Sequence, residues 1–157
     1  ALYGRSFQLQ HVQSGLFVCA NQAAAAVDAA HRKVCLAAGG VGCHWRIKPR
    51  FLIRTEGSPI YSGDDWVIES VALRGHFLAA SHLPYATLQP KSKKAAIEAG
   101  LGDTVRYDML EINCCTSPTT FRARRFAHVH RKDERALFTN EIFQIYHPQG
   151  VAFVRAS

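Results

Sequence analysis

Apolar and polar positions alternate along this chain in a register that returns three times. In Phe7-Gln8-Leu9-Gln10-His11 the apolar side chains fall on every second residue. That is the period of a strand with one face buried. Ser14-Gly15 then supplies a turn, and Phe17-Val18-Cys19 starts a returning strand. The pattern recurs from Ser62-Gly63-Asp64-Asp65 into Trp66-Val67-Ile68-Glu69-Ser70, with a turn at Arg74-Gly75 and a return through Phe77-Leu78-Ala79. It recurs again in Phe143-Gln144-Ile145-Tyr146-His147, followed by Pro148-Gln149-Gly150 and Val151-Ala152-Phe153. Phe143, Ile145, His147 and Phe153 stand at one constant offset from Phe7, Leu9, His11 and Phe17.

Further strands are predicted between these copies: Lys33–Ala37, His44–Pro49, Ala86–Leu88, Met109–Asn113 and Thr120–Phe126. Each unit thus offers about four short strands, and such units bury their apolar faces only against sister units. Three-fold closure of four-strand units predicts an all-β chain with the β-trefoil fold, which also removes exposed strand edges. A β-sandwich is the competing arrangement. Two stretches break the strand pattern. Gln22 to His31 is alanine-rich, expected as a short helix or loop, and Lys91 to Gly102 reads as an inserted loop with about two helical turns. Residues 127–138 are polar and read as a connector.

Composition narrows the function classes. No stretch approaches the ~18 consecutive apolar residues of a membrane span. The first residue, Ala1, is not Met, as expected of a fragment or processed chain. The chain carries 19 Lys+Arg against 12 Asp+Glu, a net charge of +7. Such a balance suits either an anionic partner or a solvated basic surface. The basic clusters Lys91–Lys94 and Arg122–Arg125 lack the interleaved aromatics of a base-stacking surface. The five cysteines are odd in number, include the adjacent pair Cys114-Cys115 and form no Cys-x-x-Cys. That pattern argues against a disulfide framework and for buried, inert thiols in a reducing compartment.

Candidate chemistry is sparse. His128-x-His130 lacks companions at zinc spacing, so no metal site is expected. Asp64 and Asp65 are adjacent on a strand start, where neighbours point apart, so they read as turn residues rather than an acid/base pair. No phosphate-binding loop, dinucleotide fingerprint or nucleophile motif is present, so no cofactor and no enzymatic activity are expected. The segment Pro49-Arg50-Phe51-Leu52-Ile53-Arg54 joins two units. Its aromatic and leucine on a basic loop either anchor a partner surface or cap the barrel.

Several of these segments resemble the amino-terminal region of inositol trisphosphate and ryanodine receptors, the intracellular calcium-release channels. They are Gly63-Asp64, Trp45-Arg46-Ile47-Lys48-Pro49, Arg54-Thr55-Glu56-Gly57, Tyr3-Gly4 with Gln8-Leu9-Gln10-His11, Ala79-Ala80-Ser81-His82, and Leu110-Glu111-Ile112-Asn113 with Thr116-Ser117. The last two favour the inositol trisphosphate receptor branch. The resemblance implies that residues 1–126 are the second and third units of a suppressor-type β-trefoil. It further implies a linker at 127–138, and in 139–157 the first strands of a second β-trefoil, the ligand-binding core.

The implied function is a regulatory region that couples ligand binding to gating through interdomain contacts. Its partners would be other domains of the same channel and neighbouring subunits of a homotetramer, with inositol phosphate bound outside this segment and no nucleic acid. The membrane would be met only through the rest of the chain, at the cytosolic face of the endoplasmic reticulum or a related calcium-store membrane. Arg50, Phe51 and Arg54 fall where the family has an aromatic-bearing contact loop. The sequence departs from the family in the longer insertion at 91–102 and in Phe121, where a tryptophan is usual. A stand-alone trefoil binding a glycan or another small ligand is the alternative reading, and a basic nucleic-acid module the third.

Overall fold

A computed structural model describes residues 1–84, 110–125, 136–137, 142–148 and 152–153. Its strands are β1 (Ser6–Phe7), β2 (Phe17–Ala24), β3 (Arg32–Ala37), β4 (Trp45–Pro49), β5 (Trp66–Ser70), β6 (Phe77–Pro84), β7 (Leu110–Cys115), β8 (Arg122–Arg125), β9 (Phe143–His147) and β10 (Ala152–Phe153). Seven of them form one sheet in the order β1-β4-β5-β6-β7-β3-β2, and β10-β9-β8 form another. The larger sheet curls back on itself. Its two edges meet where Val18 N donates to Leu9 O at 2.9 Å and His11 N to Leu16 O at 2.8 Å.

The pairing repeats as the sequence pattern does. In the first unit β1 pairs β4 and β2 pairs β3. In the second unit β6 pairs β7, and the Trp66–Phe121 bridge joins β5 to the start of β8. Adjacent units are stitched by β4 to β5 and by β8 to β9. Even the irregularities correspond, with register shifts between Ala20 and Ala24 and between Ala80 and Pro84. The two turns read from the sequence place Gly15 at φ 71° and Gly75 at φ 74°, where a side chain would be strained. The chain is an all-β protein with the β-trefoil fold.

Period-two burial follows. Leu9, Trp45, Ile47, Trp66 and Ile68 point into a common core with Tyr3, Ile60, Leu78, Cys114 and Phe121. Phe7, Phe143 and Ile145 pack against that core from its margin. The intervening Arg46 and Lys48 point outward to Glu69 at 3.8 and 2.9 Å. Trp45 donates its indole N–H to Val18 O at 2.7 Å, whereas the buried Trp66 indole N–H has no partner among the described residues. Truncating either tryptophan to alanine is worth about 3–5 kcal/mol on the usual scale for buried aromatics.

Two expectations are corrected by the described residues. First, of the helix and loop expected for Gln22–His31, no helix forms: β2 runs on to Ala24, and only the remainder is a loop. Glu111 holds that loop, accepting from Ala26 N at 2.8 Å and Val27 N at 3.0 Å, and these tertiary bonds outweigh alanine's helix propensity. The short helical element lies instead at Val41–Cys43, as a single 3-10 turn. There Gly42 lies so close to β2 that an added Cβ would collide with Ala20 O. Second, that contact brings Cys43 beside Cys19, and the two form a disulfide, while Cys35, Cys114 and Cys115 are free thiols. Chain folding, invisible in cysteine spacing, creates the pair.

Beyond β8, described residues again lie in or against the same core. Leu137, from the stretch expected as a connector at 127–138, is buried and donates its N–H to Ile60 O at 2.7 Å. Within 139–157, Phe143 and Ile145 give β9 an apolar face packed against the core that holds Phe121 and Ala123. The Lys91–Gly102 insertion, the Ala86–Leu88 strand and His128-x-His130 lie outside the described residues.

Candidate functional site

The connection from β4 to β5 leaves the barrel and returns over residues 50–65. Its base is tightly held. Arg50 N donates to Asp65 O at 3.0 Å, Gly57 N to Tyr3 O at 2.9 Å, and Tyr3 N to Ser58 O at 3.0 Å. Asp64 organises the interior of the base. Its carboxylate accepts from Tyr3 OH at 3.0 Å, Tyr61 N at 3.1 Å and the Arg54 guanidinium at 3.2 and 3.3 Å. Arg54 also lies over the Tyr61 ring, 4.6 Å from its centroid, a cation–π arrangement. The Asp64 hydrogen bond pushes the Arg54 pKa up. Burial, reinforced by the Asp64 charge, pushes the Tyr3 phenol well above its usual value.

The tip is the opposite of the base. Phe51 is 56% exposed, Leu52 100% and Ile53 85%. Three consecutive large apolar residues stand exposed at this tip, and such an exposed run is an error unless it functions. Transferring each from water into an apolar contact is worth about 1.5–3 kcal/mol.

The structure therefore brings Arg50, Phe51 and Arg54 into one loop but divides their work. Arg50 and Phe51 face outward, while Arg54 is turned back onto Asp64 and Tyr61. Sequence reasoning missed Ile53 at the tip, and it gave Asp64 its turn role but not its bonds to Tyr3 and Arg54. The unbroken Phe51-Leu52-Ile53 run was the available signal for the first; the second needs the fold. Beside the loop, Arg50, Phe51, Asp65, Thr120, Arg122 and Pro148 line a cleft of about 320 Å³. Asp65, adjacent to Asp64, points elsewhere and pairs with Arg122 at 2.6 Å, so the two aspartates hold separate partners. His11 and His147 are also structural: His11 Nδ1 meets Ser14 Oγ at 2.8 Å and His147 Nδ1 meets Thr120 O at 3.1 Å. Among the described residues no three His, Cys, Asp or Glu side chains gather as a metal site, and no helix is long and apolar enough to cross a membrane.

The fold is shared with solved structures of low sequence identity. A Caenorhabditis elegans protein of unknown function superposes with a TM-score of 0.69 at 12% identity, over 98% of this chain and 76% of that one. The SDF2-like protein from Arabidopsis thaliana superposes with a TM-score of 0.66 at 10% identity, over 97% of this chain and 75% of that one. At those identities the likeness concerns the fold alone. No curated protein matches the sequence. The family model described as inositol 1,4,5-trisphosphate/ryanodine receptor matches residues 1–132, most of the chain and all of the loop just described. The chain belongs to the inositol 1,4,5-trisphosphate/ryanodine receptor family.

Proposed function

We propose that this chain is the regulatory N-terminal region of an intracellular ligand-gated calcium-release channel, and that it acts through interdomain contacts rather than through catalysis. The family match over residues 1–132 supports the receptor assignment. The observation that carries the contact role is the loop of residues 50–54, with a rigid base and three exposed apolar side chains at its tip. A preordered loop loses little conformational freedom on docking, so most of its apolar burial remains as binding free energy. Its partners are other domains of the same channel or neighbouring subunits of a homotetramer, on the cytosolic face of the endoplasmic reticulum or a related store membrane. Inositol phosphate binds elsewhere in the channel, and ligand occupancy reaches the pore as a rearrangement of domain contacts.

The test is Phe51→Ala in the full-length channel, read by co-purification of the contacting domains and by single-channel recording. Weakened association with altered ligand sensitivity is expected. Unchanged association and unchanged gating would remove the assigned role.

A further inference from the structure

The cleft beside the loop has a charge arrangement that points to one kind of occupant. Arg50 and Asp65 are joined through the backbone at 3.0 Å, and the Trp66–Phe121 bridge one step further on sets Asp65 beside Arg122. Arg122 in turn stands opposite Tyr146 in the β8–β9 register. Arg50 and Asp65, just beyond the ends of β4 and β5, thus continue one transverse row with Arg122 on β8 and Tyr146 on β9.

Along β4 and around the cleft, Arg46, Lys48, Arg54 and Arg122 each meet one of three carboxylates. Glu69 serves Arg46 and Lys48, Asp64 serves Arg54, and Asp65 serves Arg122 through two hydrogen bonds of 2.6 and 3.1 Å. Arg50 remains: its exposed guanidinium has no partner among the described residues, and it lines the cleft with Phe51.

We infer that this cleft receives a carboxylate side chain of the partner protein, held between Arg50 and Arg122, while Phe51, Leu52 and Ile53 enter an apolar depression next to it. The inference rests on the proposed contact role of the loop and specifies the chemistry of the surface it meets. A guanidinium fork matches a planar carboxylate in two parallel hydrogen bonds. Asp65 repels a phosphate dianion more than a single carboxylate, and a free phosphate has no apolar part to cover the tip. Asp65 is the internal competitor for Arg122, so it sets the affinity of the cleft.

The chemistry is tested by titrating the isotope-labelled chain with acetyl-Glu-Leu-Glu-Leu-amide, its glutamine counterpart and inorganic phosphate. The readout is the amide shifts at residues 50–53, 65 and 122. The glutamate peptide is expected to move these resonances, Arg50→Gln to weaken it about tenfold, and Asp65→Asn to tighten it by freeing Arg122. Equal binding of the glutamine peptide, tighter binding of phosphate, or no gain in Asp65→Asn would each overturn the inference. Channel recording separates the two readings. If Phe51→Ala alters gating but Arg50→Gln does not, the carboxylate partner is refuted and the contact loop stands. If neither alters gating while the glutamate peptide still binds, the contact reading fails and only the anion chemistry of the cleft survives.

Discussion

Removing the Asp64 carboxylate should both destabilise the barrel and loosen the loop, and the size of the effect follows from what each donor loses. Asp64 accepts from Tyr3 OH, Tyr61 N and Arg54. Tyr3 is 1% exposed, so in Asp64→Ala its hydroxyl loses its acceptor where water has little access. That costs about 1–3 kcal/mol. The Tyr61 N–H lies on a half-buried residue and regains part of its bond from solvent, leaving about 0.5–1 kcal/mol lost. Arg54 is open to solvent, and water replaces its contacts, so it adds little. The expected loss is about 2–3 kcal/mol in equilibrium urea unfolding, with an unchanged denaturant slope.

Tyr3→Phe removes the donor instead and leaves Asp64 its other partners, so it should cost about 1 kcal/mol. In the double variant the two losses should be less than additive, because Tyr3→Phe has already removed the hydroxyl that Asp64→Ala would strand. Amide exchange over residues 54–61 should accelerate in Asp64→Ala. A loss below about 0.5 kcal/mol, or strict additivity with Tyr3→Phe, would refute the view that this carboxylate locks the loop base.

Two further outcomes are expected. Trp45→Phe should cost about 1 kcal/mol more than Trp66→Phe, because among the described residues only the Trp45 indole N–H has a hydrogen bond to lose; equal losses in thermal or urea unfolding would contradict this. The Cys114 thiol is pushed up from 9.0 to about 12 by burial and by the neighbouring Cys115. At pH 8 its thiolate fraction falls about a thousandfold below that of an unperturbed thiol, so iodoacetamide should label half-exposed Cys35 well before Cys114, as read by peptide mass mapping. The folded state holds the Cys114 proton more tightly than the unfolded chain does. Its stability contribution is therefore complete below pH 9 and is lost as pH rises from 9 towards 12.

Much of the architecture was legible in the order of residues. A strand has a period of two, so the recurrence of Phe7-x-Leu9, Trp66-x-Ile68 and Phe143-x-Ile145 marks equivalent strands without reference to any coordinates. All six side chains lie in or against one core, and the turn glycines Gly15 and Gly75 take the backbone conformation their placement implied. The loop was legible in part: the aromatic between two arginines stood out, and its neighbour Ile53 did not. The division of labour between Arg50 and Arg54 was hidden, because both are arginines flanking the same apolar run. Only the position of Asp64 distinguishes them.

Local pattern by itself determined strand identity, turn position and the repeat, because each depends on residues within a few positions of one another. Tertiary structure decided the Cys19–Cys43 pair, the Glu111 clamp on the 26–27 backbone, the burial of Leu137 and the shared core of β8 and β9. Each of these joins segments whose separation along the chain says nothing of their distance in space. Their free energies come from desolvation and hydrogen bonding at contacts that exist only once the sheet has closed.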